Sequence, residues 1–263
     1  MTIKMSFTLQ EVDPAKDFAE LIECEWDSYE NPRQTFFRLF CPIHGTGSSA
    51  RDDSLKEATS RQLYWHQSDP TSYWQKVVNE NGKIVAGALW KICPTNPFAE
   101  ADDHSEVSWY PKGGERDYVA HALKQFEAPR IEKGQRPQVC TCFSHMNMRP
   151  GSLLKQSLSD LNIIFTHPDY RRQGIADIIM KWGIEKADAM GVEMWLDATE
   201  YGVPLYQKHG FVVVHKNNLT PKKDNPSKEW KDIAKRLEPM IMWQMWRPIR
   251  GNYAEGETVR PWV

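Results

Sequence analysis

The chain has 263 residues, a formal net charge of −2 and 40% hydrophobic residues, enough for one large globular domain or two small ones. Its mean hydropathy of −0.62 comes without any long apolar run, which excludes a spanning helix and a membrane role. The near-neutral charge gives no basic field for nucleic acid, so the expected partner is a small molecule.

Five cysteines, at 24, 41, 93, 140 and 142, lack metal-ligand spacing, and the eight histidines are scattered. Reduced thiols and no metal are expected. The first residues lack the basic-then-apolar layout of a signal peptide, so the expected location is cytoplasmic.

Residues 6–12 alternate as an opening strand, and Asp13-Pro14 is expected to cap a helix running to about Tyr29. Phe18, Leu21, Ile22 and Trp26 share one face of that helix, and Asn31-Pro32 ends it. Residues 34–40 form a short apolar stretch, followed by a small-residue loop from Gly45 to Ser49. Asp52 or Asp53 is expected to cap a helix over 54–66 that covers a cleft wall. Residues 73–78 and 84–92 flank an Asn-Gly turn and read as a hairpin. Gly87, in its second strand, marks either a close approach or a bulge.

About sixty-five residues, 94–158, then stand apart as an insertion. Within it Tyr118, Val119, Ala122, Leu123 and Phe126 predict a helix over 116–128 stopped by Pro129. Residues 139–143 suit a short strand before a Met-rich turn reaching Gly151. Next, Leu161, Ile163, Ile164 and Phe165 form a strand that stops near Thr166. Ile175, Ile178, Ile179 and Trp182 recur at helical spacing from Gly174 to Gly191. A strand over 192–196 would complete a βαβ unit with a parallel pair. A helix from about Ala198 carries Pro204 and Tyr206 to Gly210, and residues 211–215 are a strand. The Lys-rich residues 216–230 read as a polar connection, 240–245 as the last strand, and 247–263 as a tail.

The turn between the Leu161 strand and the Ile175 helix carries the chemistry. A helix start exposes unpaired N–H groups and a positive partial charge, so it attracts phosphate. Gly174 allows close approach, Ala176 keeps the next inward position small, and Arg171 and Arg172 add charge. Neither the dinucleotide nor the NTPase glycine pattern is present.

The run Arg171, Gly174, Ala176 resembles the pyrophosphate motif Arg/Gln-x-x-Gly-x-Gly/Ala of the GNAT acyl-CoA N-acyltransferases. Tyr206 to Phe211 resembles the Tyr-x-x-x-Gly-Phe segment that follows it in that family. The insertion resembles one found in some fungal-type members, where the family usually has only a tight turn. The resemblance implies one α/β domain over 1–263, a central mixed, mostly antiparallel sheet with helices on both faces. It also implies acetyl-CoA as acyl donor, with the backbone of Ile164, Phe165 and Thr166 along its pantetheine arm. Arg171, Arg172, Gln173, Gly174, Ile175 and Ala176 would surround its pyrophosphate, and Tyr206 would protonate the leaving thiolate. Trp26, Tyr29, Phe36 and Phe37 are candidates for acceptor contact on the same ground.

The function expected is direct transfer of an acetyl group to the amine of a small molecule. A catalytically silent acyl-CoA-binding or assembly module, and acyl transfer to a hydroxyl or a protein amine, stand beside it. The residue accepting the amine proton is left open among Asp160, Asn162, Asp197, Glu200 and a water relay. The tail could dock on the body or on a second subunit, which leaves a homodimer open.

Overall fold

Seven strands fall into two antiparallel sheets in a computed structural model, which describes residues 6–91, 107–133 and 160–260. The first sheet has the order β1 (Thr8–Glu11), β2 (Ser72–Val78), β3 (Ile84–Lys91), β4 (Asp160–Thr166). The second has the order β5 (Met194–Ala198), β7 (Met240–Arg247), β6 (Val212–Leu219). The predicted mostly antiparallel α/β layout is therefore observed, with one correction. The expected parallel pair does not form: β4 and β5 touch but belong to different sheets. Residues 161–166 of β4 instead line an open cavity, so its free edge faces ligand space rather than a neighbouring strand.

Helices cover both faces of the first sheet. Helix α1 (Phe18–Glu30) crosses β3 at Gly87, where a Cβ would come within 2.7 Å of Leu21 and 2.6 Å of Phe165. Three residues on, Trp90 points to the other face, because strand side chains alternate. There it meets α4 (Ile175–Met190) at Gly183, where a Cβ would lie 2.0 Å from the indole. Gly87 thus serves close approach, and the register breaks lie elsewhere, at Val77/Val78 and opposite Leu89/Trp90.

Several element ends differ from the sequence reading. Helix α1 starts at Asp17 because the Asp13 carboxylate closes its own turn, accepting from Ala15 N at 3.0 Å. Residues 35–39 form a 3-10 turn. Helix α2 (Ala50–Ser68) starts at Ser49, leaving Asp52 and Asp53 in its first turn, where they suit the dipole. In the insertion, α3 (Gly114–Lys133) runs through Pro129. Proline removes one N–H bond, yet the Gln125 carbonyl so released accepts from Asn217 Nδ2 at 3.1 Å. Partner substitution explains why the helix does not stop.

Helix α5 (Val203–Lys208) follows β5. Strand β6 continues to Leu219, and the polar connection expected over 216–230 ends early, at a further helix, α6 (Lys228–Leu237). Ser227 caps α6 by accepting from Trp230 N, and Trp230, Ile233 and Leu237 bury one stripe. Helix α3 packs on α6 and β6, with Phe126 against Phe36 at 5.0 Å between centroids. No helix among the described residues is long and apolar enough to cross a membrane. The strand expected over 139–143 and the Met-rich turn lie outside the described residues.

Candidate functional site

A cavity of about 560 Å³ opens between the two sheets. Its lining includes Ile164, Phe165, Thr166, Arg171, Arg172, Gly174, Ile175, Ala176 and Tyr206. Gln173 is not on this wall; it is exposed, and its Nε2 donates to Asp169 O at 3.4 Å.

Gly174 has φ +81° and precedes the first turn of α4, where only glycine is unstrained. No atom lies within 4 Å of where its Cβ would be. A helix start leaves N–H groups unpaired, and the backbone at Gly174 is open to close approach by a ligand. The two arginines divide the work. Arg171 spends its guanidinium on three carbonyls: Nε to Thr166 O at 3.1 Å, Nη1 to Asn31 O at 2.5 Å and Nη2 to Ser28 O at 2.7 Å. It straps the loop to the end of α1, and burial lowers its pKa. Arg172, with φ +60°, is exposed at the rim.

Strand β4 carries a bulge: Leu89 faces Ile163 while Trp90 faces Leu161, which leaves Asn162 as the extra residue. Bulges re-aim backbone groups beside sites. Tyr29 spans the gap from α1, its hydroxyl donating to Ile164 O at 3.2 Å. Tyr206 packs edge-on to Phe211 at 5.8 Å and still reaches the cavity. Burial pushes its phenol well above its ordinary value, so it stays protonated.

The sequence reading missed Glu25. It lines the cavity from α1, is 2% exposed, and accepts from Gln62 Nε2 at 2.9 Å. Burial pushes its carboxyl up to about 7, with Gln62 and then Arg61 pulling the other way. One signal in the sequence could have revealed it. Glu25 stands four residues after Leu21 and three after Ile22, on the apolar face of an amphipathic helix where a charge is out of place.

The candidate proton acceptors separate clearly. Asn162 and Asp197 line the cavity and Glu200 does not. Asp197 is 3% exposed and ion-paired with the equally buried Arg130 of α3. Burial raises its pKa while Arg130 opposes the shift. Among the aromatic candidates Tyr29, Phe36 and Phe37 are on the wall, whereas Trp26 is fully buried behind it. Among the described residues, no group of three or more His, Cys, Asp or Glu is placed to hold a metal ion.

Residues 143–213 match the family model of the acetyltransferase (GNAT) domain, a span that includes the loop, α4 and Tyr206. Among solved structures, arylalkylamine N-acetyltransferase 2 of Aedes aegypti is similar at 13% identity and TM-score 0.58, covering 93% of this chain and 99% of its own. An acetyltransferase of Corynebacterium glutamicum related to histone acetyltransferase HPA2 is similar at 16% identity and TM-score 0.51, covering 95% and 99%. At these identities the likeness is one of fold. No curated protein matches the chain.

Proposed function

From the premise that this chain carries a GNAT acetyltransferase domain and uses acetyl-CoA, we propose that it acetylates the amine of a small molecule by direct attack in a ternary complex. The observation that carries this reading is a single cavity bounded by the glycine turn, Tyr206 and Glu25. Acetyl-CoA supplies a thioester. The turn around Gly174, with Arg172 at its rim, holds the pyrophosphate by N–H groups and charge. The free edge of β4 at Ile164, Phe165 and Thr166 takes the pantetheine arm as a strand takes a neighbour, and the bulge at Asn162 aims backbone at the thioester carbonyl.

Glu25, with its carboxyl near neutrality and one oxygen fixed by Gln62, accepts the proton of the attacking amine. A C–N bond forms as the C–S bond breaks, and Tyr206 donates to the departing sulfur. Holding both substrates in one cavity supplies much of the acceleration. The domain so formed spans 1–263, with helix α3 of the insertion packed against α6 and β6, and acts in the cytoplasm.

Calorimetry with acetyl-CoA tests this first, comparing wild type with Gly174→Asp and Arg172→Glu. Micromolar binding, lost in Gly174→Asp and weakened in Arg172→Glu, followed by amine-dependent thiol release, is expected. Absence of binding by wild type overturns the reading, and binding without thiol release for any amine would establish the silent module instead.

A further inference from the structure

Several charged groups on the cavity lining are paired within the protein: Lys91 bonds Asp69, Asp197 bonds Arg130, and Asp177 bonds Lys208 and His209. Arg61 of α2, on the acceptor side of the same lining, is only partly satisfied. Its side chain is 9% exposed. Nε donates to Glu57 Oε1 at 2.7 Å, while Nη2 donates to Glu57 Oε2 at 3.1 Å and to Phe40 O at 3.0 Å. Nη1 is buried and has no hydrogen-bond partner. The guanidinium lies 4.5 Å over the Trp65 ring and 5.4 Å over that of Trp109, so it cannot turn toward a new partner without giving up these contacts. Gln34, also on the lining, has a buried Oε1 without a partner. An unmet donor and an unmet acceptor beside one cavity are costly to the protein alone and are met together by an amide group.

We propose that Arg61 sets acceptor specificity, its Nη1 donating to a neutral carbonyl oxygen close to the reacting amine, as in an amino-acid amide. This deepens the function proposed above and rests on it. Arg61 and Gln62 are chain neighbours on α2, and Gln62 holds Glu25, so amine and carbonyl are recognised at one end of the cavity. The Arg61 charge acts on Glu25 as well. A carboxylate in place of the carbonyl would bring a third acidic group beside Glu57 and Glu25, which disfavours it. A substrate without the oxygen would leave Nη1 unmet, the arrangement by which a polar site rejects an apolar analogue.

Thiol release at saturating acetyl-CoA gives kcat/KM for phenylalaninamide, 2-phenylethylamine, which lacks the carbonyl, and phenylalanine, which has a carboxylate. Each is measured in wild type, Arg61→Met and Arg61→Gln, and acetyl-CoA affinity by calorimetry marks the variants as folded. Amine basicity differs among the substrates but cancels when their ratios are compared across enzymes. Both variants are expected to lose at least about tenfold more kcat/KM with phenylalaninamide than with 2-phenylethylamine, and wild type is expected to prefer phenylalaninamide to phenylalanine. Equal losses with both amines would reduce Arg61 to a wall-holding residue and overturn the proposal. So would turnover of 2-phenylethylamine or phenylalanine by wild type at or above that of phenylalaninamide. Failure of the underlying reading looks different: wild type does not bind acetyl-CoA, or releases thiol with no amine at all.

Discussion

Two buried carboxylates line the cavity, and their surroundings assign them different work. Glu25, on α1, faces an amide; Asp197, at the end of β5, faces a guanidinium from the insertion helix. Burial raises both pKa values. A paired carboxylate has its charge and lone pairs committed, so taking a proton would remove the counter-charge beside the buried Arg130. A carboxylate held by a neutral donor keeps one oxygen for exchange, at a pKa near the working pH. Burial alone does not make a base; the partner decides.

The hardest blow to this contrast is Glu25→Gln. It should lower kcat by about 10²- to 10⁴-fold while acetyl-CoA still binds, the range expected for losing a general base. In wild type, kcat/KM should rise with pH through about 7, since Glu25 acts unprotonated. Stability moves oppositely. A carboxyl raised from 4.5 to about 7 contributes fully below 4.5 and loses about 3 kcal/mol as pH climbs through 7. Glu25→Gln should therefore melt higher than wild type at pH 8 and about equally at pH 4.5, which thermal melts at both values check.

Next in size is Arg130→Met, which leaves Asp197 buried and unpaired. A loss of about 3–5 kcal/mol in denaturant unfolding is expected, most of it recovered by adding Asp197→Leu. Recovery of activity in that double variant would show that Asp197 is dispensable to chemistry. Smaller again, Gln62→Leu removes the hydrogen bond that lowers the Glu25 pKa, so the acid limb of kcat/KM should move up by at most about one pH unit. An unmoved limb would separate Gln62 from the base. Pro129→Ala, at the joint between α3 and β6, should change stability by under about 1 kcal/mol, because Asn217 already satisfies the carbonyl concerned.

The cofactor half was legible because its determinants are contiguous. A strand, a turn with its glycine at φ +81° and a helix start follow one another in eighteen residues, and Tyr206 sits in a second short motif. The acceptor half draws on α1, the 3-10 turn, α2 and β3, which meet only in the fold, so Glu25 and Gln62 were invisible as a pair. Helix α6 escaped notice because three apolar residues among lysines make a narrow stripe. The supposed helix stop at Pro129 failed for want of Asn217, almost ninety residues away. A βαβ pattern predicts a parallel pair, and nothing local signals that β4 and β5 will part into separate sheets with a cavity between them.

Arg171 binds Thr166 on the cofactor strand and Ser28 and Asn31 at the end of the helix that bears Glu25. One guanidinium thereby joins the turn proposed to hold the nucleotide and the helix bearing the proposed base in a single frame. Helix α2 and the 3-10 segment are tied to the same helix by other bonds: Gln62 holds Glu25, Arg51 bonds Asp27 and Glu30, and Arg38 bonds Glu30. Recontouring that wall would therefore move the seat of Glu25 with it, so a change of admitted substrate and a change of Glu25 placement are mechanically coupled.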